Sequence, residues 1–86
     1  MTPAETIPVQ ILLFARYAEL LGTSTLTIEL PAGSTVADAV GIVRRLPGGS
    51  VLPAQVLVAR NLEQLPLQTA LARGDELAFL PPMSGG

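Results

Sequence analysis

The chain has 86 residues, 49% hydrophobic and 14% charged, with a formal net charge of −2. That length suits one domain near the lower limit of independent folding, and the composition is far from that of a disordered chain. Cysteine and histidine are both absent, which excludes disulfides, thiolate or imidazole metal sites, and Ser-His or Cys-His nucleophilic catalysis. The five basic residues are all arginines, too few and too scattered for a nucleic-acid footprint. The apolar run at residues 9–15 is much too short to cross a bilayer, so neither a membrane nor a nucleic-acid partner is expected, and the cytoplasm is the default location.

Residues 1–7 read as a loose leader, and Pro8 opens a strand, Val9-Gln10-Ile11-Leu12-Leu13-Phe14-Ala15, rich in β-favouring residues. Arg16 to Leu21 forms a short helical turn stopped by Gly22 as a C-cap. The next stretch alternates: Leu26, Ile28 and Leu30 share one face, Thr25, Thr27 and Glu29 the other, as in a half-buried strand. After a turn at Pro31-Ala32-Gly33-Ser34, Thr35 and Asp38 have the spacing of a capping box, with Asp in place of Glu. Val36, Ala39, Val40, Val43 and Leu46 then fall on one helical face. Gly41 weakens that helix by about 1 kcal/mol against Ala, and its missing side chain is expected to admit a closely packed strand. Pro47-Gly48-Gly49 ends the helix. Gln55 to Ala59 is a third strand, Arg60-Asn61 begins a turn, and Leu65 and Leu67 suggest a brief edge strand interrupted by Pro66. A second tight turn at Arg73-Gly74-Asp75 leads into the last strand, Glu76 to Leu80, which Pro81-Pro82 terminates.

One helix between two runs of strands, in so small a domain, implies an α+β fold with the helix packed on one face of a mixed sheet. The first two strands form a hairpin around the short helix, and the last long strand lies beside the first. This is a β-grasp, ubiquitin-like arrangement, with the domain over residues 8–82 and a mobile tail over 83–86. The expected core is Val9, Ile11, Leu13, Leu26, Ile28, Leu30, Val36, Val40, Val43, Val56, Val58, Leu71, Leu77 and Phe79.

A single helix covers one sheet face, and Gln10 marks its own face as the wet one. Leu12 and Phe14 share that face, and Leu80 lies with Ala78 and Pro82 opposite Leu77 and Phe79. Leu12, Phe14 and Leu80 are therefore expected to form an exposed apolar patch, the mark of an interaction site. Asp75-Glu76 reads as a solvated turn, and Arg44-Arg45 as an exposed helix end favourable to the helix dipole. The chain closes on Pro81-Pro82-Met83-Ser84-Gly85-Gly86. Such an ending is either a frayed terminus or a thin arm whose glycines thread a narrow tunnel and leave the Gly86 carboxylate sterically bare.

Three segments carry a family resemblance. They are Leu12-Leu13-Phe14-Ala15-Arg16 with Glu19-Leu20-Leu21-Gly22, then Val58-Ala59-Arg60-Asn61, and above all Gly74-Asp75-Glu76-Leu77-Ala78-Phe79-Leu80-Pro81-Pro82-Met83-Ser84-Gly85-Gly86. Together they resemble the small subunit of molybdopterin synthase over nearly the whole chain from Val9 onward; Arg60 intervenes in the family's Val-Asn turn. The resemblance implies a sulfur carrier that binds no cofactor itself. An E1-like enzyme would use ATP to adenylate Gly86, a persulfide would convert it to a thiocarboxylate, and Gly85 would help thread the arm. Docked on the large catalytic subunit through Leu12, Phe14, Leu80, Pro81, Pro82, Met83 and Ser84, in a heterotetramer, the carrier would donate sulfur to cyclic pyranopterin monophosphate. It would supply no acid, base or metal. Sulfur carriers for thiamine synthesis or tRNA thiolation, ubiquitin-like protein modifiers, and an inert interaction module of the same fold remain the alternatives.

Overall fold

The computed structural model describes residues 5–53 and 56–80. Strand β1 (Thr6–Leu13) runs directly into helix α1 (Ala15–Leu21), and β2 (Thr25–Pro31) returns beside β1. Helix α2 (Val36–Arg44) crosses the sheet, a 3-10 turn follows at Gly49–Val51, and β3 (Leu57–Arg60), β4 (Glu63–Gln64) and β5 (Glu76–Leu80) complete the fold. The sheet order is β2-β1-β5-β3-β4. β1 and β5 pair in parallel, with Ile11 opposite Leu77 and Leu13 opposite Phe79; the other pairings are antiparallel. A mixed five-stranded sheet with the first and last strands adjacent at its centre and a helix crossing one face is the expected β-grasp.

Alternation decides which face each strand side chain takes. Val9, Ile11, Leu13, Ile28, Leu30, Val58, Leu77 and Phe79 point into one buried layer, closed by Val36, Ala39, Val40 and Val43 of α2. The capping box forms as the spacing predicts. The Thr35 hydroxyl accepts from the Asp38 amide at 3.4 Å, and the Asp38 carboxylate accepts from the Thr35 amide at 2.9 Å. Of the expected core, Leu26 alone is only half-buried, packed against the cluster from outside; Ile7, Tyr17, Ala39 and Leu52 join it.

Several local expectations change. The first strand begins at Thr6 rather than Pro8, so Thr6 and Ile7 belong to the sheet and not to a leader: Ile7 pairs with Leu30 and is buried. Pro8 is tolerated inside the strand. Gln10 N–H points to the β5 side, where it donates to the Asp75 carbonyl, so the N–H that Pro8 lacks would face the same edge before the β5 ladder begins. The edge strand is Glu63–Gln64, not Leu65 and Leu67. Asn61 and Leu62 both have positive φ, 53° and 68°, so the chain reverses in two residues and pairs at once. Leu65 N–H still donates to the Val58 carbonyl at 2.8 Å; Pro66, lacking an N–H, ends the pairing.

Gly41 does not admit a close strand. A Cβ built there would meet nothing within 4 Å. The tight glycines are Gly48 and Gly49, where a Cβ would collide with the carbonyls of Leu20 and Val43. They bring the loop after α2 against the ends of both helices. Helix α2 itself stops at Arg44, and Leu46 lies beyond it, half-buried. The third strand starts at Leu57, after buried Val56; Gln55, residues 1–4 and residues 81–86 lie outside the described residues.

Candidate functional site

The sheet face away from α2 is divided along its length. Toward the start of β1 it carries Thr6, Pro8 and Gln10, flanked by Thr27 and Glu29 of β2 and Glu76 of β5. Toward the end of β1 and β5 it turns apolar. Leu12 lies opposite Ala78, Ala59 opposite Ala78 on the other side, and Leu57 opposite Leu80. Leu12, Phe14, Ala78 and Leu80, with Ala59, Asn61, Leu62 and Glu76, line one open groove of about 370 Å³.

Phe14 is held there by an abrupt joint. It is the N-cap of α1 with an extended backbone (φ −123°, ψ 152°), and the next residue, Ala15, is forced to a φ of 50°. The Phe14 carbonyl accepts from Tyr17 N–H at 3.1 Å. This turn keeps Phe14 on the open face, 44% exposed, while Tyr17 swings into the core. Ala15 adopts the left-handed region that disfavours a side chain, so the joint is strained.

The far rim is set by the β3–β4 hairpin. Arg60, at the end of β3, makes an ion pair with Asp75 at 2.8 Å, and the same carboxylate oxygen accepts from Ala72 N–H at 2.9 Å. Asp75 is therefore a structural tie between the hairpin and the turn before β5. Arg73 reaches Glu5 at 3.2 Å on the exposed polar end, and Arg44 and Arg45 are exposed. Tyr17 is the one buried side chain whose polar atom has no hydrogen-bond partner among the described residues, and its burial pushes the phenol pKa up. A second depression, about 400 Å³, runs along the outside of α2 beside Pro31, Gly41 and Arg45. Two of its polar side chains are already engaged: Asp38 caps the helix and the Ser34 hydroxyl donates to the Pro31 carbonyl at 2.7 Å. Among the described residues no three acidic side chains converge as metal ligands.

The structure thus brings Leu12, Phe14 and Leu80 into one groove. Pro81, Pro82, Met83, Ser84, Gly85 and Gly86 lie outside the described residues. Asn61 and Leu62 were not foreseen as part of this surface. An apolar residue directly after a turn-forming Asn was the available signal.

The ThiS family matches residues 11–86. The chain belongs to that family. The Arabidopsis thaliana molybdopterin synthase sulfur carrier subunit is 35% identical over 82 residues, covering 94% of this chain and 85% of its own. Small archaeal modifier protein 1 of Haloferax volcanii is 36% identical over 83 residues, covering 86% of this chain and 95% of its own. A crystal structure of SAMP1 from that organism matches with a TM-score of 0.78 over 92% of this chain and 99% of its own, at 35% identity. A chain from the complex of subunits 1 and 2 of the Helicobacter pylori molybdopterin-converting factor shares the fold, with a TM-score of 0.63 at 22% identity over 93% of this chain and 100% of its own.

Proposed function

We propose that this chain is the sulfur carrier of a molybdopterin synthase. The observation that carries the reading is the place of the apolar groove: it lies where β5 ends at Leu80, just before residues 81–86. Fully extended, those residues reach at most about 20–22 Å, so a partner docked on the groove would receive Gly86 if its active site lay within that distance. The family match runs through Gly86, and the Arabidopsis relative is named a sulfur carrier subunit. The Helicobacter neighbour, described as a complex of two subunits, supports a large-subunit partner here.

In this reading the groove, with Pro81 to Ser84, docks on the large catalytic subunit in a heterotetramer. Gly86 supplies the acyl group, and Gly85 lets it enter a narrow site. A carboxylate is a poor electrophile, so an E1-like partner binds ATP and converts Gly86 to an acyl-adenylate with release of pyrophosphate; the terminal sulfur of a persulfide then displaces AMP to give an acyl disulfide, and a thiol cleaves its S–S bond, becoming a disulfide itself and freeing the thiocarboxylate. The resulting thiocarboxylate is a nucleophile on a protein handle, delivered to cyclic pyranopterin monophosphate at high effective concentration. The carrier needs no cofactor of its own, and its place is the cytoplasm, with its partners. The Haloferax modifier favours one second reading, in which a lysine amine captures the same activated Gly86.

The test is intact-mass measurement after incubation with the E1-like enzyme, ATP and a sulfur donor. The expected result is one oxygen-to-sulfur exchange at Gly86, followed by molybdopterin formation when the large subunit and its substrate are added. Conjugation to lysines without molybdopterin formation would favour the second reading. Deleting Gly86 moves the carboxylate by ~3.3–3.6 Å, and 1 Å of misplacement already costs about a hundredfold in rate, so sulfur transfer should collapse. Retention of more than about a tenth of wild-type transfer would overturn the assignment of Gly86.

A further inference from the structure

We infer that the outer edge of β2, with the groove between β2 and α2, binds an extended protein segment as an added antiparallel strand. The segment carries apolar residues at alternate positions and an acidic residue toward its C-terminal end. This surface lies on the helix side of the sheet, away from the apolar groove of the open face, and binding there is independent of the large subunit.

β2 is an outer strand, paired among the described residues with β1 alone. The Leu13 amide donates to the Ser24 carbonyl at 2.9 Å, and the Ala32 amide to the Glu5 carbonyl at 2.8 Å. Even-numbered residues along β2 therefore turn their backbone groups toward β1, and Thr25, Thr27, Glu29 and Pro31 turn theirs outward. Both ends of that outer edge are closed. The Thr23 hydroxyl accepts from the Thr25 amide at 3.3 Å and donates to the Thr25 carbonyl at 2.9 Å. Pro31 has no N–H, and its carbonyl accepts from the Ser34 amide and hydroxyl. Thr27 and Glu29 remain, with their N–H and C=O groups unpaired among the described residues. An antiparallel strand satisfies all of these groups with a pair of its own residues two positions apart.

The groove beside that edge selects the side chains. Residues of the added strand opposite Ile28 and Leu30 project on the helix side, over the depression of about 400 Å³ bounded by Leu30, Ala37, Gly41 and Ile42. Packing within the chain does not call for Gly41. Glycine disfavours the helix, yet a Cβ there would meet nothing within 4 Å. Its missing side chain keeps the groove open. At the end of the groove away from Pro31 stands Arg45, exposed and without a carboxylate partner among the described residues. Arg44 beside it is exposed as well, so this end attracts an acidic side chain. An added strand running opposite to β2 brings its C-terminal end to Arg45. A second copy of the chain fits poorly here. Paired edge to edge, it would offer Ile28 and Leu30, which are already buried in its own core, and the groove would stay empty.

The probe is the peptide Ser-Val-Thr-Ile-Thr-Glu-Asp-Ser, acetylated and amidated, titrated into the full chain while backbone amides are followed by NMR. Saturable binding is expected, with the largest downfield shifts at the Thr27 and Glu29 N–H groups. A probe N-methylated at both threonines cannot donate to the edge and should bind at least about tenfold more weakly. Gly41→Leu should melt no lower than wild type and, by filling the groove, also lose about tenfold or more in affinity. Arg45→Gln should cost the acidic probe about threefold and leave a version with Gln-Asn in place of Glu-Asp within about 1.5-fold. Absence of saturation below about 1 mM overturns the inference. So does binding of the N-methylated probe, or binding by Gly41→Leu, within about twofold of the unmodified pair, because the peptide then lies elsewhere. An equal loss for both probes with Arg45→Gln removes the acidic requirement and overturns it too. A Gly41→Leu chain that melts well below wild type would show that the glycine serves the fold, which also refutes it. A dimer of the free chain held through Thr27 and Glu29, and not displaced by the probe, assigns the edge to a second copy instead. No arm of this experiment contains the large subunit, so the docking reading of the open face stands or falls separately.

Discussion

β1 and β5 contribute Val9, Ile11, Leu13, Leu77 and Phe79 to the face under α2, and all five are buried. To the opposite face the same strands contribute Gln10, Leu12, Ala78 and Leu80, and the row continues to Phe14. Both sets are largely apolar, yet only the first has a helix over it. Alternation therefore separates two tasks on one pair of strands. Odd-numbered positions hold the domain together, while the even-numbered positions near the end of β1 and β5 keep apolar surface that folding leaves half-exposed. An apolar residue without a covering element is poorly explained by stability, and its grouping with others in one groove points to a partner.

Paired truncations test that separation most directly. Phe79→Ala should cost about 3–5 kcal/mol of stability by opening a cavity beneath α2, a large share of what a domain this size has. Phe14→Ala should weaken binding to the large subunit by ~1–3 kcal/mol while changing unfolding free energy by less than about 1 kcal/mol. Denaturant unfolding and calorimetric titration of both variants check the contrast. If Phe14→Ala unfolds the domain and its folded fraction binds normally, the two faces do not divide the work.

The dryness of the covered side can be tested through Tyr17. Burial raises its phenol pKa in the folded state, and the unfolded phenol titrates near 10. Stability linked to the neutral phenol is thus fully present below that unfolded value and is lost as pH rises through the folded pKa, at ~1.4 kcal/mol per pH unit between the two. Tyr17→Phe removes this alkaline loss. Because the hydroxyl has no hydrogen-bond partner among the described residues, the variant should match or exceed wild type at neutral pH. Melting curves at pH 7 and above pH 10 compare the two chains; a phenylalanine variant weaker at neutral pH would show that the hydroxyl is bonded.

The smallest expected effect lies on the outer surface of α2. Gly41→Ala should stabilise the domain by about 0.5–1 kcal/mol, since a Cβ there meets nothing and helix propensity improves. Large-subunit binding should be unchanged, because Gly41 is far from the apolar groove in the fold. A drop in affinity would mean that the partner also covers the outside of the helix.

The alternation of Leu26, Ile28 and Leu30, the Thr35–Asp38 cap and the strand from Glu76 to Leu80 were all legible from residue order. Each depends on neighbours a few residues away, where side-chain period and hydrogen-bond geometry are set by the chain itself. The pairing of first and last strands was legible too, because one helical crossover in so short a chain leaves few arrangements. The entry of Ile7 into the core, the start of the edge strand at Glu63, the burial of Tyr17 and Leu52, and the exchange of roles between Gly41 and the Gly48-Gly49 pair were not. These turn on which distant backbone lies opposite: Leu30 beside Ile7, Leu20 and Val43 beside the two glycines. The groove itself divides in the same way. Period two assigned Leu12, Phe14 and Leu80 to one face, but the register of β3 against β5 and the two-residue reversal at Asn61-Leu62 brought the hairpin tip to its rim, because strand register is a long-range property that no local pattern carries.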